Sequence, residues 1–177
     1  GYEKLGYNDL EKAERALKKG FNYSDLRLDY FNEFAQVLLL QGKFNEAEKS
    51  VKDYVQRGTF YEYFPYTTLG HFYFVAGMYD LAMEQYEKAR EAGYKFYENS
   101  EEYSRYMFVA EETKEYQKIV DMAQDYLKKW GPDADTYFNI AVGFFNLAEK
   151  EKAKEFFLKA LELNKKYEEY QPLFAPQ

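Results

Sequence analysis

The residues that could do chemistry in this sequence are few and scattered. His71 is its one histidine, and it has no cysteine. Thiol nucleophiles and metal sites built from several histidines or cysteines are therefore excluded. Neither the G-x-S-x-G motif nor the G-x-x-x-x-G-K-[ST] motif occurs, so the sequence has no nucleophile elbow and no phosphate-binding loop. We predict no catalytic residues, no cofactor and no metal.

Carboxylates are abundant, but their spacing does not suit acid–base catalysis. A glycosidase needs two carboxylates that face each other across a cleft. Adjacent residues on a helix point in different directions, so a doublet cannot supply such a pair. We interpret these doublets as solvated helix faces, and a hydrolase is the least favoured class. The doublets are Glu101–Glu102, Glu111–Glu112 and Glu168–Glu169.

The charge of the chain limits the partners it can bind. The formal net charge is -7, with 31 acidic and 24 basic residues. Nucleic acids and anionic membrane surfaces need a concentrated positive field, so neither is a predicted partner. No run approaches the roughly 20 apolar residues that a membrane-spanning helix needs, so we predict no membrane insertion of this segment. Proteins and peptides are the predicted partners.

Internal repetition organises the chain. Residues 77–82 (GMYDLA) repeat the pattern G-x-aromatic-x-x-A of residues 42–47 (GKFNEA). A unit of about 34 residues accommodates two helices and two short turns. The intervals between corresponding positions are 34, 35, 37 and 34 residues, and these positions are Ala13, Ala47, Ala82, Ile119 and Ala153.

The segment HFYFV at residues 71–75 is ambiguous, because its aromatic and β-branched residues also suit a strand. Around it, Tyr66, Leu69, Gly70 and Tyr73 have the i, i+3, i+4, i+7 spacing of one helical face. The helical interpretation is therefore favoured. In total the pattern predicts helices near residues 8–20, 25–41, 44–57, 63–76, 79–92, 100–113, 115–130, 134–147 and 150–163.

Residues at the predicted helix ends support these boundaries. Side chains of the Ser, Asn and Asp type cap helix N-termini, proline suits the first turn, and glycine often follows the last turn. The predicted N-terminal residues are Ser24, Pro65, Asn99 and Asp133, and the predicted C-terminal glycines are Gly58, Gly93 and Gly131.

One unit carries a recognisable signature. Leu69-Gly70-x-x-Tyr73, residues 77–82 and Tyr86-x-x-Ala89 together resemble the tetratricopeptide repeat. This resemblance implies an all-α fold, a right-handed α-α superhelix of about four and a half helical hairpins. We predict one repeat domain over residues 1–177. Its parts are a half unit at 1–27, units at 28–62, 63–99, 100–133 and 134–166, and an extended C-terminal tail at 167–177. Residues 170–174 of this tail could fold back onto the last helix, and we favour this over their binding to a neighbouring molecule.

The resemblance also implies a binding face. First helices of such units line a concave groove, where exposed aromatics can anchor a peptide and amides can satisfy its backbone. The alternative is a tight superhelix in which these rings contact each other. The predicted partner-binding residues are Asn32, Gln36, Phe64, Thr67, His71, Phe74, Arg105, Phe108, Phe138, Asn139, Val142 and Phe145.

Some tetratricopeptide proteins bind acidic C-terminal peptides of chaperones with a clamp of Lys, Asn and Arg side chains. In the frame that starts with the unit at 28–62, the matching positions include only Arg105 as a residue of the right type, and shifting the frame by one unit is no better. We therefore predict no chaperone-type carboxylate clamp. In the first frame the clamp positions are Asn32, Gln36, Thr68, Glu101 and Arg105.

Two functions of different classes follow. The first is a non-catalytic scaffold that binds a peptide or protein segment in its concave groove. The second is a soluble appendage of a larger bacterial membrane protein, such as a glycan polymerase or ligase. The second hypothesis rests on a first unit that lacks its first helix and on a C-terminal segment that contains Pro172 and Pro176.

Overall fold

The computed structural model describes residues 7–21, 28–57 and 61–174, and within these ranges it contains helices and no strand. Segment 71–75 is helical, as predicted. Ser24 and Gly58 lie outside the described residues. The helices are α1 (Tyr7–Phe21), α2 (Leu28–Leu40), α3 (Phe44–Arg57), α4 (Phe64–Val75), α5 (Tyr79–Glu91), α6 (Ser100–Glu112), α7 (Tyr116–Trp130), α8 (Ala134–Asn146), α9 (Lys150–Leu163) and α10 (Gln171–Phe174).

The chain divides into two compact units, Gly1–Tyr94 and Lys95–Gln177. In the first unit each helix from α1 to α5 packs against the next. In the second unit, α6 to α9 pack in the same sequential way, and a short 3-10 helix, Phe96–Glu98, packs against α6 and α7. The predicted all-α fold of stacked helical hairpins is thereby confirmed.

The second helix of each hairpin has one larger and one smaller residue at two equivalent positions, and all of these residues except Tyr126 are buried. In α5 these are Tyr86 and Ala89, and in α3 they are Val51 and Tyr54, so the larger side chain moves to the other position. The same exchange distinguishes α9, with Phe157 followed by Ala160, from α7, with Ala123 followed by Tyr126. Because cores tolerate exchanges that conserve total volume, the irregular units keep the packing of the regular one.

The turn inside each hairpin needs a left-handed residue. The backbone N–H of Met78 donates to the carbonyl of Tyr73 at 2.9 Å, and Gly77 between them has φ +72°. This is the Schellman arrangement, for which glycine is the residue without a steric penalty. The turns after α6 and α8 have the same hydrogen bonds but place Lys114 at φ +58° and Ala148 at φ +60°.

We expect Ala148→Gly to raise the free energy of unfolding by about 0.5–1 kcal/mol. The substitution removes the cost of about 1–2 kcal/mol for a left-handed non-glycine residue, and the greater freedom of glycine in the unfolded chain offsets part of that gain. Urea denaturation of the full chain measures the change. Gly77→Ala is the reciprocal control and should lower stability by a similar amount. A destabilised Ala148→Gly variant would contradict the left-handed backbone conformation of Ala148.

The predicted caps of α6 and α8 are confirmed. The side chain of Asn99 accepts hydrogen bonds from the backbone N–H groups of Glu101 and Glu102. Asp133 accepts from the backbone N–H of Thr136 at 2.7 Å. Both helices therefore begin where the sequence predicts, and these two helices carry the candidate site described below.

The C-terminal tail differs from the predicted extended chain. Residues Lys165–Tyr170 form a 3-10 helix that continues into α10. Pro172 is the second residue of α10, where the helix does not require a backbone N–H, so it does not prevent helix formation. The ring of Phe174 stacks on Phe157 with centroids 4.4 Å apart, so the tail folds back onto α9.

A polar contact also holds the tail. Lys166 Nζ lies 2.6 Å from Asp135 Oδ1, and the hydroxyl of Tyr167 donates to the same oxygen. These contacts lower the pKa of Asp135, with the Lys166 hydrogen bond as the main cause. The ring of Tyr167 stacks on Phe138 with centroids 4.4 Å apart. The tail thus closes the end of the second unit against both α8 and α9.

Candidate functional site

A groove of about 410 Å³ lies between α6 and α8 in the second unit. Its volume is in the range of about 300–1,000 Å³ that is usual for ligand-binding clefts. Residues 103–111 of α6 and 138–142 of α8 supply most of the lining, and α7 supplies one residue. The lining residues are Tyr103, Ser104, Met107, Phe108, Glu111, Ile119, Phe138, Asn139 and Val142.

Helical spacing explains why these residues meet. Ser104, Phe108 and Glu111 follow each other at i, i+4 and i+7, which puts them on one face of α6. Phe138 and Val142 have the i, i+4 spacing on α8. Because α6 and α8 are the first helices of successive hairpins, these two sets of residues border the same groove.

The groove has a buried apolar base and an exposed aromatic edge. Tyr103, Met107 and Ile119 are buried, whereas the side chain of Phe108 is 43 % exposed. An exposed phenylalanine that borders a concave apolar surface can serve as an anchor that a partner covers. The arrangement can therefore bind apolar side chains.

Polar groups lie at several points along the groove. The hydroxyl of Ser104 donates to the carbonyl of Ser100 at 2.8 Å and is thus already engaged within α6. Burial raises the pKa of Tyr103 to about 12, although the nearby Thr136 and Asn139 side chains oppose this shift. The phenol therefore stays neutral at physiological pH. Asn139 and Glu111 supply an amide and a carboxylate to the groove lining.

The first unit offers much less space at the corresponding helices. Gln36 and His71, two predicted binding residues, border a crevice between α2 and α4 of about 10 Å³. That is about the smallest volume that holds one water molecule. The ring of His71 also stacks on Phe74, with centroids 6.3 Å apart. This crevice has no room for a partner side chain.

The structure brings together four of the predicted partner-binding residues in the groove: Phe108, Phe138, Asn139 and Val142. The others of the second unit lie elsewhere. Arg105 is bound to Glu101 and to Glu102 on its own helix, with its Nη1 atom 2.5 Å from Glu102 Oε1. Phe145 packs edge-on against Phe174, with centroids 5.6 Å apart.

The remaining predicted residues belong to the first unit. Phe64 packs against Tyr54 with centroids 6.2 Å apart, and the Thr67 hydroxyl donates to the Phe64 carbonyl at 3.1 Å. Phe74 packs against Tyr79 with centroids 6.3 Å apart. Asn32 lies in α2, and its side chain is outside the described part of the chain.

Sequence analysis missed five of the groove residues: Tyr103, Ser104, Met107, Glu111 and Ile119. Tyr103 and Ile119 are buried and form the base of the groove. The signal for Glu111 was available, because it follows Phe108 by three residues on α6 and must share its face. Because Glu111–Glu112 was interpreted as a solvated doublet, Glu111 was not included among the predicted binding residues.

Comparisons with known proteins agree with this architecture. The tetratricopeptide repeat profile matches residues 134–167. A search of curated protein sequences found no significant match. In a search of solved structures, MamA aligns with a TM-score of 0.60 and 20% identity over 93% of this chain and 92% of MamA. YrrB, described as a tetratricopeptide protein with an unusual peptide-binding site, aligns with a TM-score of 0.57 and 18% identity over 84% of this chain and 75% of YrrB.

A third structure, BtubC from P. vanneervenii, aligns with a TM-score of 0.58 and 15% identity over 90% of this chain and 72% of BtubC. The fold and the matched repeat define the class, which is that of helical-repeat proteins with tetratricopeptide architecture. This fold suggests a scaffold for protein interactions. In the described residues, every helix is too short or too polar to cross a lipid bilayer.

Proposed function

We propose that this chain is a non-catalytic scaffold that binds a peptide or protein segment in the groove between α6 and α8. The carrying observation is the exposed edge of that groove, where Phe108 stands beside a buried apolar base. A partner side chain that covers Phe108 would gain apolar burial at about 25 cal/mol per Å². The amide of Asn139 would hydrogen-bond the partner's backbone.

The dimensions of the groove set the length of the bound segment. Ser104 and Glu111 are separated by about 10 Å along α6, at a rise of about 1.5 Å per residue. An extended peptide advances about 3.3 Å per residue, so about three of its residues span this distance. A short linear segment with one or two apolar side chains therefore suits the groove. YrrB, which has the same fold, is described as having a peptide-binding site, and this supports the proposed use of the groove.

The test uses a phage-displayed library of random seven-residue peptides, selected against the full chain. The best peptide is synthesised, and its dissociation constant is measured by titration calorimetry. We expect Phe108→Ala to raise the dissociation constant about tenfold or more, because truncation of a central aromatic anchor typically costs about 2 kcal/mol.

Leu158→Ala is the matched control. Leu158 is also an exposed apolar residue, at 50 %, but it lies on α9 and does not line the groove. Its substitution should leave the dissociation constant unchanged, and circular dichroism should show equal helix content for both variants. A peptide that binds Phe108→Ala as tightly as the original chain would contradict the proposed function.

A further inference from the structure

The groove between α6 and α8 has an uncompensated negative charge at one end. The carboxylate of Glu111 lines the groove, and in the described part of the chain it has no ion-pair partner. Arg105 is the single cation of α6, and it is already bound to Glu101 and Glu102. The groove therefore presents a carboxylate that a ligand can neutralise.

The carboxylate of Glu111 lies in the last turn of α6. The C-terminus of a helix carries a partial negative charge, which favours cationic side chains in the last turn. Helix α6 has no basic residue in its last turn, as α2, α4, α8 and α9 have none, and it ends on Glu111 and Glu112. Two carboxylates therefore lie beside the partial negative charge of this helix end.

The helix terminus and Glu111 act in the same direction on a ligand. Both contribute negative potential at the end of the groove, and the net charge of -7 adds a long-range field of the same sign. An acidic peptide would be repelled from this end, whereas a lysine or arginine side chain would be attracted. Phe108, which borders the apolar part of the groove, precedes Glu111 by three residues, which is less than one helical turn along α6.

We propose that the segment bound in this groove combines an apolar anchor with an adjacent lysine or arginine. The anchor packs between Phe108 and Val142, and the cation binds the carboxylate of Glu111. This inference rests on the proposed function, and it specifies the chemistry of the partner. It is opposite in charge to the acidic peptides that a carboxylate clamp would bind.

The random heptapeptide library shows whether the groove prefers basic or acidic peptides. Peptides are selected from it in parallel on the original full chain and on its Glu111→Lys variant. We expect peptides selected by the original chain to carry a lysine or arginine within two residues of an aliphatic or aromatic residue. Glu111→Lys should enrich aspartate or glutamate at that position. For a synthesised basic peptide, Glu111→Gln should raise the dissociation constant about three- to tenfold.

Glu112→Gln is the matched control, because Glu112 is the next residue on α6, is exposed and does not line the groove. It should leave the dissociation constant unchanged. Peptides whose binding depends on Phe108 but shows no preference for basic residues would overturn this inference and leave the proposed function intact. Selection of no peptide that depends on Phe108 would overturn the proposed function, and this inference with it.

Discussion

Phe174→Ala is expected to lower the free energy of unfolding by about 3–5 kcal/mol, the range for large aromatic side chains removed from a packed core. Phe174 is buried, and its ring lies 4.4 Å from the ring of Phe157 and 5.6 Å from that of Phe145. Its loss would expose Phe157, one of the most buried side chains of α9. Urea denaturation followed by circular dichroism measures this change.

The neighbouring residue Leu173 provides the control, since it is 58 % exposed in the same short helix. Leu173→Ala should change the free energy of unfolding by no more than about 0.5 kcal/mol, as for most surface substitutions. If Phe174→Ala were as mild as Leu173→Ala, the C-terminal segment would not be packed on α9, and the description of the tail would be wrong.

Gly70→Val should also destabilise the chain strongly, by about 2–3 kcal/mol, which is typical of overpacking in a well-filled core. A Cβ atom at Gly70 would lie 2.4 Å from two ring carbons of Tyr86. Tyr86 is fully buried, so its ring cannot move aside into solvent. The valine side chain is larger still and is disfavoured in helices. Thermal and urea unfolding measure the loss.

A double-mutant cycle shows whether the steric contact with Tyr86 is the cause. Tyr86→Ala is destabilising alone, but it creates the space that a side chain at position 70 needs. In the Tyr86→Ala background, we therefore expect Gly70→Val to cost much less than it does in the original chain. Additive effects of the two substitutions would show that α4 and α5 do not approach each other at this point.

Local rules made most of the fold predictable. Helices α3 and α9 were predicted with the observed bounds, and the other boundaries from α4 to α8 lie within one residue of the observed ones. Caps such as Asn99 and Asp133 act within three residues along the chain, so the sequence contains all the information that places them. The repeat period supplied the pairing of helices, because each hairpin can pack only on its neighbours.

Contacts between distant residues were less predictable. The fold-back of the tail depends on Phe157, Phe138 and Asp135, which are 17 or more residues away from the tail residues they contact. Pro172 lies in the first turn of α10, where a helix tolerates proline, so its presence alone does not predict an extended tail. Packing between residues distant in sequence, which no short sequence pattern specifies, determines that the tail folds back and does not extend away from α9.

The candidate site was predicted in outline only. Phe108 and Val142 were placed on the binding face because they follow the first-helix period. Arg105 was assigned to the same face, yet Glu101 and Glu102 precede it by four and three residues, a spacing that favours ion pairs within one helix. The volume of the groove follows from side-chain packing between helices, and helical periodicity alone does not determine it.

Mapping of the bound peptide by NMR tests the central claim most directly. Backbone amide shifts of the full chain are recorded during titration with the best peptide from the heptapeptide library. We predict that the largest shifts fall on residues 103–111 of α6 and 138–142 of α8, and that Phe108→Ala reduces them at the same peptide concentration. Shifts concentrated on α7 and α9, or unchanged by Phe108→Ala, would contradict binding in this groove.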